Sequence, residues 1–195
     1  MVKKLQKFIY ILCVLLLASI KNLYAGDLKG SILSSRNEAV VAVRGVKGSF
    51  APNENTSTMN QKNMEFIPRI LSVMIGSEVK YPNSEDVLYH NVYSESGSNG
   101  FDLGTYRAGT VKTVEFSEPG IVEVMCNIHS RMYAAIIVLD NPFYASVDNN
   151  GRFFIKNIPQ GEYEIEVFTL GDFEVQSKRY QISIPENGEV ELNID

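Results

Sequence analysis

The fold of this chain is decided by the stretch Ile121-Val-Glu-Val-Met-Cys-Asn-Ile-His-Ser-Arg-Met-Tyr-Ala-Ala-Ile-Ile-Val-Leu139. It begins and ends with short runs rich in β-branched residues, and the second run, Tyr133–Leu139, is hydrophobic at every position. A strand with no polar face is typical of the centre of a sheet that is covered on both sides. The stretch therefore predicts two strands joined by a loop, with the second strand at the centre of a sheet.

The rest of the chain repeats this pattern of short β-rich runs separated by turn residues. Residues 70–79 predict a strand interrupted near Gly76, and residues 87–93 predict another. No window of helical length carries an apolar stripe with a 3.6-residue period, which is the signature of a surface helix. The sequence therefore predicts an all-β fold, and its 195 residues allow one or two compact domains.

The C-terminal part predicts a second β-sandwich. Residues 148–151 (Asp-Asn-Asn-Gly) predict a hairpin turn, and residues 159–161 (Pro-Gln-Gly) predict another turn. Between 162 and 167 acidic and apolar residues alternate, which predicts a half-buried strand of an antiparallel sandwich with one solvated acidic face. The acidic residues of that face are Glu162, Glu164 and Glu166.

The stretch 145–165 resembles the small carboxypeptidase-regulatory-like (transthyretin-like) β-sandwich. Members of that family begin with two further strands, and matching pieces stand far upstream at 28–32 and 39–43. We therefore expect a split sandwich, in which 26–49 supply the N-terminal strands, 50–142 form an inserted domain and 143–195 complete the sandwich. Residues 39–43 would then pair with C-terminal strands, whereas the alternative gives them to the middle domain.

The first 25 residues are expected to be a cleaved signal peptide. Three lysines precede an apolar run at 8–20, and a small residue, Ala25, ends the segment. The run is shorter than the roughly 20 residues of a membrane-spanning helix, so cleavage is favoured over an uncleaved anchor. The sequence thus predicts an exported, periplasmic protein with no membrane span after cleavage.

Charge restricts the partners of the mature chain. The whole chain has 18 basic and 23 acidic residues, and the first 25 residues hold four lysines and no acid, so removing them leaves a formal net charge of −9. Nucleic-acid binding needs clustered Lys and Arg to neutralise phosphates, so nucleic acid is excluded as a partner. A basic protein partner is favoured instead, because opposite charges steer association.

Residues that bind metals are concentrated in the middle region. Both histidines of the chain, His90 and His129, lie there, together with Cys126, the only cysteine after residue 25. A single thiol cannot form an internal disulfide. Met132 completes a C-x2-H-x2-M spacing in the loop between the two quoted strands, and His90 is expected to end a separate strand.

Two imidazoles, a thiolate and a weak thioether are the ligand set of a mononuclear type 1 (blue) copper centre. Singly, Cys126 and Met132 also fit ordinary core positions, but all four residues together favour the metal site. Zinc fits less well because a thioether is a poor fourth ligand for it. A Cys/His nucleophilic dyad lacks a visible orienting group. We therefore expect no enzyme activity.

Residues 59–140 resemble a cupredoxin of the plastocyanin, pseudoazurin and amicyanin kind, on the basis of His90-Asn91-Val92 and the Cys126-to-Met132 loop. The resemblance implies a Greek-key β-sandwich, with His90, Cys126 and His129 as equatorial copper ligands and Met132 as the axial ligand. It also implies that the Asn91 side chain ties the two ligand-bearing loops together.

The whole mature chain resembles bacterial plastocyanin-type proteins of the methylamine-utilisation type, a label that names a genetic context and not a substrate. The resemblance implies that partners dock on an apolar patch near the C-terminal histidine ligand, to which Ile128 and Tyr133 would contribute beside the charged Arg131. We expect a one-electron carrier with a basic redox partner. The alternative is a copper-binding, copper-delivery or structural interaction protein without redox turnover.

Overall fold

The computed structural model describes residues 25–33, 38–52 and 56–194. Within these residues every regular element is a β-strand except one 3-10 turn, Gly97–Asn99, so the all-β prediction is confirmed. The expected signal peptide lies outside the described residues, apart from Ala25. In the described part of the chain, no helix has the length and apolar character needed to cross a membrane.

The described strands form two β-sandwiches, of which one contains both the first and the last of these strands. Its outer sheet contains, in spatial order, β14 (Arg152–Pro159), β1 (Ala25–Ile32) and β17 (Glu189–Ile194). Its inner sheet contains β13 (Tyr144–Ser146), β2 (Ala39–Arg44), β15 (Gly161–Leu170) and β16 (Val175–Ile184). We call this unit the terminal sandwich.

The terminal sandwich buries an apolar core between its two sheets, to which Leu28, Val41 and Ile165 contribute. Two details differ from the sequence predictions. Strands β1 and β17 pair in parallel, so the sandwich is not purely antiparallel. Residues 148–151 do not form a hairpin, because the strands that they join, β13 and β14, belong to different sheets. The positive φ of Gly151, 78°, lets the chain turn there from one layer to the other.

Strand β2 lies between β13 and β15, so both of its neighbours are C-terminal strands. This is the pairing that a split sandwich requires. The chain leaves the inner sheet after Arg44 and returns at Tyr144, which lies directly opposite Ala42. The middle region thus begins and ends on adjacent strands, which is a geometry that accommodates an inserted domain.

The middle region forms the second sandwich. Its larger sheet contains, in spatial order, β6 (Ile70–Met74), β12 (Tyr133–Leu139), β11 (Gly120–Met125), β8 (Tyr89–Ser94) and β9 (Phe101–Arg107). Its smaller sheet contains β10 (Val111–Glu115), β7 (Glu78–Pro82) and β3 (Ser57–Thr58), beside a ribbon of β4 (Asn60–Lys62) and β5 (Glu65–Ile67). Strands distant in sequence lie side by side, as in a Greek-key sandwich.

Strand β12 is buried along its whole length, as its sequence predicts. One face, including Ile136, packs in the core of the middle sandwich. The other face, including Ile137, packs against Val40 and Phe168 of the terminal sandwich in a third apolar core. The two sandwiches therefore stack into four β layers, and the inner two layers are covered on both faces.

The acidic face of β15 is not fully solvated. The side chain of Glu166 is buried, with only 5% of the residue exposed. The reason is that this face of β15 continues into the third core, where Phe168 packs. The buried carboxylate is held by Arg179, whose Nε lies 3.1 Å away, and by Arg44 at 3.4 Å. Such pairing is what makes a buried charge tolerable.

Candidate metal centre

His90 is the second residue of β8 and is fully buried. The expectation that His90 ends a strand is therefore wrong. Residues Val87 and Leu88 lie outside the strand and are exposed, because the chain turns there before it enters the sheet. The position near the start of β8 brings His90 next to the loop that follows β11.

That loop carries the other predicted ligands. Cys126 directly follows β11 and is buried, and the backbone N–H of Met132 donates to the carbonyl oxygen of His129 at 2.9 Å. This hydrogen bond closes a tight turn between Cys126 and the start of β12. The turn comprises the H-x2-M part of the C-x2-H-x2-M spacing.

Asn91 ties the two ligand-bearing segments together, as the resemblance implied. The backbone N–H of Asn127 donates to Asn91 Oδ1 at 2.9 Å, so the residue after Cys126 is hydrogen-bonded to the residue after His90. The amide nitrogen of Asn91 in turn donates to Asp102 Oδ1 at 3.1 Å. Both ends of the Asn91 side chain are therefore fixed, and this predicted role is confirmed.

The ligand atoms of His90, Cys126 and His129 converge. They lie within 4.8 Å of one another, and the Nδ1 atoms of the two imidazoles are 3.0 Å apart. The first two side chains are buried, while His129 is half-buried. Two imidazoles and one thiolate at this spacing fit the trigonal plane of a single type 1 copper site.

Met132 lies close to this cluster. It is buried, packs in the same core as Cys126, and lines the same small cleft. A buried thioether suits a weak axial ligand. Its coordination of the metal remains a prediction, whereas the other three residues are brought together by the fold.

Glu85 also belongs to the site, although no sequence pattern predicted it. Its Oε1 lies 3.2 Å from Nε2 of His90 and accepts a hydrogen bond from the backbone N–H of Met64 at 2.8 Å. A carboxylate partner favours the tautomer of His90 with the proton on Nε2. The lone pair of Nδ1 then faces the cluster, which is the form that a metal ligand requires.

The protonation states of this pair suit metal binding. Burial lowers the pKa of His90, although the Glu85 carboxylate acts in the opposite direction. Burial opposes ionisation of Glu85, but the hydrogen bond from the Met64 N–H and the interactions with His90 outweigh it, so the pKa of Glu85 is lowered. The lowered pKa of His90 favours its neutral form, which is the form that binds a metal ion.

The half-buried side of His129 opens onto a cleft of about 820 Å³. Ile128 lines the cleft and is exposed, as expected for an apolar docking patch. Tyr133 is largely buried instead, and its hydroxyl donates to Glu123 Oε1 at 2.5 Å. Of the two apolar residues expected in the patch, Ile128 is therefore the one that is well exposed.

No family model and no curated protein matches this chain. Among solved structures, the chain is similar to the copper-containing nitrite reductase NirK from Thermus scotoductus SA-01, with 23% identity and a TM-score of 0.43 over 49% of this chain and 25% of that chain. The match thus spans a quarter of the reductase.

Two smaller proteins are matched over nearly their full length. A purple cupredoxin from Nitrosopumilus maritimus has 18% identity and a TM-score of 0.39 over 43% of this chain and 99% of that chain. A reduced mutant of amicyanin has 18% identity and a TM-score of 0.41 over 51% of this chain and 98% of that chain. The solved structures similar to this chain thus include cupredoxins, the family that its sequence resembles.

Replacing Glu85 with alanine is expected to weaken copper binding by about 10–100-fold, the usual cost of losing the hydrogen-bond partner of a metal-bound histidine. The cause is loss of the acceptor that fixes the His90 tautomer. Competition titration with a copper chelator measures the affinity. Asp86→Ala is the matched control, because that neighbouring side chain is 94% exposed. Equal affinities for the two variants would show that Glu85 does not support the site.

Proposed function

We propose that this protein is a type 1 copper protein that carries single electrons between partner proteins and is not an enzyme. The observation that supports this most directly is the convergence of His90, Cys126 and His129, with the two Nδ1 atoms 3.0 Å apart. Copper, when bound there, supplies a one-electron couple, because thiolate and thioether suit Cu(I) while imidazole holds Cu(II) as well.

The chain's own residues hold this ligand set in place. Glu85 orients His90, and Asn91 fixes the backbone next to Cys126. Ligands held in this way need little rearrangement when the bound ion changes its oxidation state. His129 is the half-exposed ligand, so its ring edge provides the route by which an electron reaches the surface.

The burial of the ligands supports a carrier over the alternatives. Transfer of an ion to another protein requires access to its ligands, yet His90 and Cys126 are both buried. With Met132 as the fourth ligand, the ion would have no open position for a substrate, in contrast to catalytic metal sites. An electron needs neither access to the ion nor an open position.

The direct test is to produce residues 26–195, add one equivalent of Cu(II), and record the visible absorption and EPR spectra. An intense thiolate-to-copper band with a small parallel hyperfine splitting is the expected result. A pale spectrum of ordinary tetragonal copper, or tight zinc binding without colour, would contradict the proposal. Reversible one-electron voltammetry supports the carrier, whereas rapid loss of Cu(I) to a weak chelator would favour delivery.

The acidic balance of the chain predicts a basic redox partner. For residues 26–195, 14 basic residues stand against 23 acidic ones. The rate of electron exchange with a basic redox protein should therefore fall by about tenfold between low and high ionic strength. Stopped-flow kinetics at several salt concentrations measures this dependence. An uncharged small oxidant is the control, and its rate should not depend on salt concentration. If the rate with the basic protein were equally independent of salt, opposite charges would not steer the association.

The cellular location and the division of the chain belong to the same proposal. We propose export to the periplasm through the signal peptide at 1–25, which the intact mass of the protein recovered from that compartment would test.

We also propose that 50–142 are a cupredoxin domain inserted into a regulatory-like sandwich built from 26–49 and 143–195. The pairing of β2 with β13 and β15 supports this division.

A further inference from the structure

The turn between β15 and β16, residues 171–174, extends from the terminal sandwich to the metal end of the middle sandwich. Its Phe173 is 58% exposed, and the ring centroid lies 6.0 Å from that of Tyr133. Phe173 lines the cleft that His129 opens onto, and also the smaller cleft lined by Cys126 and Met132. A side chain of the terminal sandwich thus lies beside the proposed copper site.

Arg69 fixes the position of this turn. Its Nη2 donates to the carbonyl oxygen of Gly171 at 3.1 Å, and its Nη1 lies 2.7 Å from Glu38 Oε2. The Nε of the same guanidinium donates to the carbonyl oxygen of Tyr133 at 3.5 Å. Because Tyr133 directly follows Met132, one planar side chain links the turn to the end of the ligand loop.

The surface around the cleft has the composition of a protein-binding site. Met64, Ile128 and Phe173 come from three separate segments, and each is about half exposed. Large apolar side chains surrounded by polar ones are typical of protein interfaces. The exposed charged residues that line the cleft are Glu65, Arg131 and Asp172.

We propose that the 171–174 turn forms one wall of the docking site for a basic redox protein, so that the terminal sandwich selects the electron-transfer partner. The proposal rests on the proposed carrier function and extends it to the identity of the partner's surface. Two acidic and two basic residues line the cleft, and one of the basic residues, Arg69, is paired with Glu38. Together with the net charge of −9 after residue 25, this balance complements a positively charged partner. The exposed phenylalanine supplies the apolar contact that such interfaces concentrate at their centre.

The test uses copper-loaded, reduced residues 26–195 and ferric cytochrome c, a basic haem protein, as the probe. One electron passes from Cu(I) to Fe(III), leaving Cu(II) and Fe(II), and no proton is transferred. Phe173→Ala is expected to lower the second-order rate constant by about tenfold, as loss of a central interface side chain does. Oxidation by hexacyanoferrate(III), a small reagent that needs no docking wall, should keep its rate.

Phe154→Ala is the matched control. Phe154 is 44% exposed and belongs to the same sandwich, but lies on the outer sheet in β14. This variant should react with both oxidants at the parent rate. The inference is overturned if Phe173→Ala reacts with cytochrome c as fast as the parent does. It is also overturned if Phe173→Ala lowers the reaction rates with both oxidants equally, because the cleft would then admit small redox molecules and would not be specific for a docked protein.

The absorption spectrum separates this inference from the function on which it rests. Absence of the thiolate-to-copper band from the spectrum of the parent protein would contradict the carrier function itself. A parent and a Phe173→Ala variant with the same band and the same rate with cytochrome c would leave the copper site in place and remove the docking wall alone.

Discussion

Replacing Cys126 with serine is expected to abolish the intense visible absorption of the copper-loaded protein. The band requires charge transfer from a thiolate, and a serine hydroxyl is neither ionised at neutral pH nor a soft ligand for copper. Copper affinity should fall by more than the roughly 10–100-fold that loss of a supporting residue costs. Absorption and EPR spectroscopy measure the first effect, and chelator competition measures the second.

Met125→Leu is the control for this substitution. Met125 also carries sulfur, directly precedes Cys126 and lines the same small cleft, but it packs against the third apolar core and is absent from the core that contains Cys126 and Met132. The leucine variant should therefore keep the band and the affinity. A Cys126→Ser protein that retained the band would show that another group supplies the charge transfer.

Replacing Phe168 with alanine is expected to destabilise the whole protein by about 3–5 kcal/mol, the usual cost of truncating a buried phenylalanine. Phe168 is 4% exposed and lies in the third core, where the inner sheet of the terminal sandwich meets the larger sheet of the middle sandwich. Denaturant unfolding gives the free energy of unfolding. Far-UV circular dichroism and the copper absorption should report the same midpoint, because both sandwiches share this core.

Phe154→Ala provides the comparison, since an exposed phenylalanine in the same sandwich should change stability by no more than about 0.5 kcal/mol. Loss of the dichroism signal at a lower denaturant concentration than loss of the copper absorption would contradict the prediction. The two sandwiches would then unfold independently, and the third core would not couple them.

Local sequence predicts the parts of this structure that local physics determines. Tyr133–Leu139 has no polar residue, and a strand of that kind is stable only when both of its faces are covered, which is what the structure shows. The C-x2-H-x2-M spacing predicted that Cys126 and His129 lie close together in one loop, and the structure confirms that their side chains converge. The role of Asn91 followed from the family resemblance and not from any pattern in the residues themselves.

The features that were missed depend on contacts between distant segments. Glu85 and Asp86 are adjacent acidic residues in a polar stretch, and nothing in their order shows which carboxylate turns inward to His90. The alternation of acidic and apolar residues along β15 revealed the two faces of the strand. It did not reveal that the middle sandwich covers part of the acidic face and thereby buries Glu166. Nothing in the sequence distinguishes Phe173 from other turn residues, because only the stacking of the layers brings it beside the ligand loop.

The parallel pairing of β1 with β17 has a consequence for the order in which the chain can fold. Ser31 donates a hydrogen bond to Asn193, 162 residues later, so the outer sheet of the terminal sandwich cannot close until almost the whole chain is present. Every segment of the middle sandwich is available well before that point. Such long-range closure is slow, and units completed first tend to fold first. The order of the strands along the chain thus allows the ligand cluster to form before β2, which is apolar along nearly its whole length, pairs with its C-terminal neighbours.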